Sequence, residues 1–186
     1  MSWFLLFVIP SVLSVGVVYL PNDIILAWSF PTTETIKFEL RVPQTIFDSY
    51  GWTGIGFKPV ASGSGMNGAD ITNIIFSTPM QDSYGLSRGG PKSDIEMGGA
   101  CDLIYPDSHV DGRGIKYFWE KKLNTGDQYD VPLAKDQEFR LLYAVGQVSE
   151  SGVQMQHTFM NRGTINIVLS ENFRDSSLQY NLFSLI

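Results

Sequence analysis

The chain has 186 residues, with 13 Lys and Arg against 19 Asp and Glu and a net charge of −6. That length suits one domain, and an acidic balance without basic runs excludes a nucleic-acid partner, because phosphate contacts need clustered cations. A single cysteine, Cys101, excludes an intrachain disulfide and a cysteine-based zinc site. Only two histidines, His109 and His157, are present to hold a metal or run acid–base chemistry.

The first charge along the chain is Asp23. Residues 1–16 read as a signal peptide, with Ser14 and Gly16 as the small residues of a cleavage site, although a basic n-region is missing. An uncleaved anchor is the competing reading, weakened by Pro10 within the apolar stretch. Residues 17–186 would then form the exported domain. With a lone cysteine, that domain would be stable through its core alone, with Cys101 expected as a small buried hydrophobe.

Strand patterns follow in order. Thr35–Val42 alternates Ile36, Phe38, Leu40 and Val42 with polar residues, as a strand with one wet face does. Similar stretches occur at Ile24–Phe30, Ile115–Glu120, Glu138–Val145 and Thr164–Leu169. Trp52–Phe57 and Ile71–Phe76 are more apolar, as inner strands are. Turn chemistry separates them at Ser62–Gly65, Gly89–Pro91, Asp111–Gly112 and Asn124–Asp127. No long helical periodicity interrupts the series. Eight or nine short strands predict an all-β fold, one antiparallel immunoglobulin-like β-sandwich. The apolar tail Leu178–Ile186 is too short to span a bilayer and reads as an edge strand or a partner contact.

Three segments suggest a task. In Gly51–Phe57, GWTGIGF, a strand would put Trp52, Gly54 and Gly56 on one face and Thr53, Ile55 and Phe57 on the other. Two glycines on one face let something lie close to the backbone, whether a packed neighbour or a ligand. Gly63–Asp70, GSGMNGAD, sets Met66 in a glycine-rich loop outside any apolar periodicity, where it could cap a core or act as a thioether ligand. His157 precedes the last strand, with Arg162-Gly163 as the turn into it.

The ordered set of these segments resembles the DOMON domain family. It comprises the GWxGIGF strand, Met66 leading into Gly68-Ala69-Asp70-Ile71, Asp82–Tyr84 followed by Pro91 and Asp94, Leu123–Asp127, Tyr143–Gly146, and His157 with Arg162-Gly163. The resemblance spans roughly Ile24 to Leu169. It implies a β-sandwich outside the cytosol, secreted or extracytoplasmic. One branch, similar to the cytochrome domain of cellobiose dehydrogenase and to modules linked to b561-type membrane cytochromes, binds haem b between a methionine and a histidine. Carried over, those ligands fall on Met66 and His157. Met155 and Met160 lie too close to His157 to oppose it, and His109 looks like a surface-turn residue. Trp52, Phe57 and Tyr143 are expected slot walls, and Arg162, with Lys58, an expected propionate partner. Met/His ligation saturates the iron and suits single-electron transfer, which would need a separate redox partner protein or membrane cytochrome. No catalytic motif of another kind is present. Other branches of the family lack haem. A haem-free module binding a sugar or small ligand, and a structural or assembly subunit with an empty pocket, are therefore the alternatives.

Overall fold

The computed structural model describes residues 14–175. Most of the expected leader, and the tail Leu178–Ile186, lie outside the described residues. The strands are β1 (Gly16–Tyr19), β2 (Ile25–Ser29), β3 (Thr35–Pro43), β4 (Trp52–Pro59), β5 (Asp70–Ile75), β6 (Gln81–Tyr84), β7 (Lys92–Ser93), β8 (Ile104–Val110), β9 (Gly114–Lys122), β10 (Glu138–Gly146) and β11 (Arg162–Val168). One short helix, α1 (Gln44–Ser49), follows β3. The strands form two sheets, ordered β1-β2-β3-β9-β8 and β11-β10-β4-β5-β6-β7, and every pairing between named strands is antiparallel. The expected all-β sandwich is what the chain forms.

Alternation in β3 decides which face goes inward. Ile36, Phe38, Leu40 and Val42 are all buried, and Trp119, Tyr117 and Ile115 stand opposite the last three across the β3–β9 ladder. From the second sheet, Ile55 and Phe57 of β4 and Phe139, Leu141 and Val145 of β10 complete the core. Phe38 touches both layers, with its ring 5.2 Å from Trp119 and 5.2 Å from Phe57. Burial on this scale is the main stabilising term for a domain without a disulfide.

Lys121 continues the inward phase of Ile115, Tyr117 and Trp119 to the end of β9, and it is only 4% exposed. Its ammonium donates to Asp70 at 2.8 Å, Asp82 at 3.0 Å and Asp130 at 2.6 Å. A lysine of one sheet thereby grips the first residue of β5, a residue of β6 and the loop after β9. Burial alone would lower the Lys121 pKa, but the three carboxylates outweigh it and hold the ammonium above its ordinary range. Burial, only partly offset by Lys121, raises Asp70 and Asp82.

Two local expectations are corrected. Cys101 is exposed, because it lies in the irregular stretch between β7 and β8 and not on a core-facing strand. His109 belongs to edge strand β8, paired with Lys116, rather than to a turn. Gly16, the expected last residue of the leader, pairs with Trp28 in the β1–β2 ladder.

Lys121→Ala strands three carboxylates in the interior. Loss of one partner from a buried ion pair costs about 3–5 kcal/mol, and a fall of that size in urea unfolding free energy is expected. Asp94 supplies a pH test. It is 1% exposed, neither carboxylate oxygen has a partner, and burial followed by the charges of Asp82, Asp130 and Asp70 pushes its pKa up to about 7. The folded state then holds a proton that the unfolded chain releases near its ordinary pKa of 3.8. Its stabilisation is complete below that value and is lost as pH rises towards about 7. Asp94→Asn should flatten the fall in urea midpoint between about pH 5 and about pH 8; an unchanged slope contradicts the assignment.

Candidate functional site

The central strand β4 is buried along both faces from Trp52 to Lys58, whereas β3 buries only alternate residues. Ile55 and Phe57 account for the inner face. The outer face carries Trp52, Gly54, Gly56 and Lys58, flanked in register by Ile75, Asn73 and Ile71 of β5 and by Gly146, Ala144, Leu142 and Arg140 of β10. Its floor is thus stripped of side chains at its centre, and loops cover its two ends.

One end lies under the Gly63–Gly68 loop. Lys58 is 1% exposed, and its Nζ donates to the carbonyls of Gly65 at 2.9 Å and Asn67 at 2.6 Å. The Met66 carbonyl accepts from Ala69 N–H at 2.9 Å, and it sits where a Cβ on Gly85 would be, 2.0 Å away. The same phantom Cβ would lie 3.3 Å from Ile71 Cδ1, which places Met66 beside the outer face. Met66 itself is half-buried.

The other end lies under the segment between β10 and β11. Trp52 spreads over Gly146, where an added Cβ would come within 2.4 Å of its Nε1. That Nε1 donates to the Met155 carbonyl at 3.0 Å, and Asn73 Nδ2 donates to Gln154 Oε1 at 2.8 Å. The His157 ring rests 6.1 Å from the Trp52 ring, within the range of aromatic contact. Around it, Met155, Phe159 and Met160 are exposed, and Arg162 sits over the Phe159 ring at 5.7 Å.

His157 is half-buried, and its Nδ1 is buried without a partner. Burial, then the Arg162 charge, lowers its pKa, so the ring is held neutral, the form in which imidazole ligates a metal. Asn73 Oδ1, on the same floor, is a second buried polar atom without a partner. Unpartnered buried polar atoms are uncommon in native proteins and call for a ligand, a water or an ion.

The structure therefore brings Trp52, Met66, His157 and Arg162 to one face of the second sheet. It does not bring Phe57 or Tyr143 there. Phe57 points inward against Phe38 because strand phase puts it opposite to Trp52. Tyr143 shares that inward phase, and its hydroxyl fills the space above Gly163. Lys58 spends two of its N–H groups on carbonyls rather than standing free at the surface. Sequence reasoning missed Asn73, whose phase alongside Gly54 was the available signal.

Asp70, Asp82 and Asp130 are the one carboxylate group among the described residues whose oxygens converge closely enough for a metal ion. Lys121 already lies in hydrogen-bond contact with all three, so this group is satisfied from within the chain.

The DOMON domain family matches residues 21–146 of the chain. No curated protein matches it in sequence. Among solved structures, the cytochrome b domain of pyranose dehydrogenase from Coprinopsis cinerea is similar in fold. It is 13% identical, with a TM-score of 0.52 over 91% of this chain and 88% of that one.

Trp52 holds the His157 segment to the sheet through both its ring and its Nε1. Trp52→Ala should cost about 3–5 kcal/mol in urea unfolding. It should also speed limited proteolysis between residues 147 and 158 more than in the Asn124–Asp130 loop. Equal acceleration at both loops would mean that Trp52 supports only global stability.

Proposed function

The chain belongs to the DOMON domain family, and from that premise we propose that it is an extracytoplasmic electron-transfer module. In this reading haem b lies on the outer face of the second sheet, with Met66 and His157 as axial ligands. The observation that carries it is the arrangement of that face. Gly54 and Gly56 carry no side chain on that face, where Trp52 and Ile71 stand nearest, the Met66 loop lies beside one end, and a neutral, half-buried His157 with an unpartnered Nδ1 covers the other. The fold shared with a cytochrome b domain agrees with this reading.

The residues present fit the group. A Cβ on Gly54 would meet the Trp52 ring at 3.7 Å and Ile71 at 3.8 Å, ordinary contact distances, so one methyl group fits above the backbone there. Trp52 and Ile71 offer apolar contact. Arg162, exposed and on the same face, is placed to meet a carboxylate at the slot's edge. Bound between thioether and imidazole, haem supplies a one-electron couple with no open coordination position. The chain's own part is to exclude water, keep His157 unprotonated and hold both ligands in place. In this reading electrons pass to a redox partner protein or a membrane cytochrome; among the described residues no helix is long and apolar enough to cross a membrane.

Haemin titration of the purified protein tests the proposal. One equivalent should bind and give a Soret band with sharp reduced α and β bands. Met66→Ala should convert the spectrum to that of a five-coordinate or water-ligated iron, and His157→Ala should abolish uptake. Gly54→Leu should fold normally yet refuse haemin, because the side chain fills the slot. A wild-type protein that takes up no haemin overturns the proposal, and sugar binding by that colourless protein would favour a saccharide-binding module.

A further inference from the structure

Lys58 is an unusual residue to bury. It is 1% exposed, and its ammonium is paired with no carboxylate among the described residues. Burial, then the charge of Arg140 in the neighbouring strand position, works against its protonated form. Moving an ammonium out of water without a counter-ion is costly, and a buried lysine of this kind requires a reason. Its two hydrogen bonds supply one, because the carbonyls they reach belong to Gly65 and Asn67, the residues on either side of Met66.

We infer that Lys58 is the positioning residue that fixes Met66 as an axial ligand, an inference that rests on the haem reading above. Three consecutive carbonyls are immobilised. Lys58 holds those of Gly65 and Asn67, while Ala69 N–H holds that of Met66 against Gly85. Gly68 N–H adds a fourth tie, to the Gly85 carbonyl at 2.9 Å. The backbone on both sides of the Met66 side chain is thereby tied down. A thioether is a neutral, weak ligand, so its bond to iron depends on how little motion must be frozen when it forms. A glycine-rich loop would by itself give the opposite condition, since Gly63, Gly65 and Gly68 all enlarge its conformational freedom. Lys58 sits two residues past Gly56 on the same face, so the strand that forms the floor of the slot also anchors the loop above it.

Lys58→Met and Lys58→Arg separate positioning from simple structural support. In the haem-loaded protein, Lys58→Met should keep His157 ligation, lose the methionine-ligated spectrum, bind carbon monoxide in the ferrous state at least ten times faster and show a lower midpoint potential. Lys58→Arg, which keeps charge and donors, should restore the spectrum and slow carbon monoxide binding again. In the protein without haem, amide hydrogen exchange over residues 63–68 should quicken at least tenfold in Lys58→Met and stay near wild type in Lys58→Arg. A Lys58→Met protein with unchanged spectrum, carbon monoxide rate and loop exchange overturns the inference. A wild-type protein that binds no haemin overturns the haem reading and with it the ligand role of Met66. The exchange measurement then decides on its own whether Lys58 fixes the loop. Should Lys58→Met fail to fold, Lys58→Gln, which can satisfy one of the two carbonyls, is expected to lie between wild type and complete loss on every readout; wild-type values for it would count against the assignment.

Discussion

The contact on which the rest depends is the Lys121 ammonium among Asp70, Asp82 and Asp130. It is the point where polar groups of both sheets meet inside the sandwich, and it ends the apolar core at the edge where β5 and β6 lie. The carboxylates are used twice over. Asp70 also accepts from Val131 N–H and Asp82 from Asp102 N–H, so strand starts and connecting loops are fixed by the same atoms that neutralise the lysine. Burial, joined by the excess of three anions over one cation, pushes the carboxyl groups of Asp70, Asp82, Asp94 and Asp102 towards their protonated forms. A cluster of this kind adds less to stability than its contacts suggest, because desolvation consumes most of the Coulomb gain. What it contributes is placement. Two sheets whose apolar faces could slide past each other are held in one alignment.

That alignment reaches the candidate site directly. Asp70 is the first residue of β5 and follows the Met66 loop, so the far end of the loop is clamped from the inner face. Its near end is clamped from the outer face by Lys58. The chain thus buries two lysines around one loop and satisfies them by different means. Lys121 has carboxylates, three of them, between the two sheets. Lys58 has only carbonyls, partial charges that suffice where the cover is a single loop and not a second sheet. A loop of four glycines and serines before Met66 would otherwise have little to hold it.

Much of the architecture was legible because one physical rule, alternation, governs it. β3, β9 and β10 show clean phases, and β4 and β5 show the short apolar runs of inner strands. β6, β7 and β8 did not stand out, for reasons visible in their contacts. Asp82 and Ser83 of β6 are buried polar residues, which in a sequence resemble a loop. β8 is an edge strand, exposed along nearly all its length and carrying Pro106 and a register shift between Ile104 and Asp107. Lys121 and Lys58 were hidden by the general rule that cations face water. In both cases the strand phase was the better guide, since Lys121 follows Trp119 inward and Lys58 follows Gly56 onto the covered outer face. The same phase puts Phe57 and Tyr143 on the inner face, away from Trp52. An aromatic count says nothing about which side of a strand a ring occupies.

Sheet order and burial together set the two faces of the second sheet apart. The inner face has no vacancy, being filled from Val42 to Trp119 by interlocking rings and aliphatic chains and sealed at one edge by the ion cluster. A ligand could enter there only by separating the sheets. The outer face of β4 is different: it lies at the centre of its sheet, and its own side chains are missing at Gly54 and Gly56, where Trp52 and Ile71 stand nearest. Such a bare strip is a poor design for stability, because each glycine weakens the strand and forgoes packing. The chain accepts that cost and sets the Met66 loop beside one end of the strip and the His157 segment, held by Trp52, over the other.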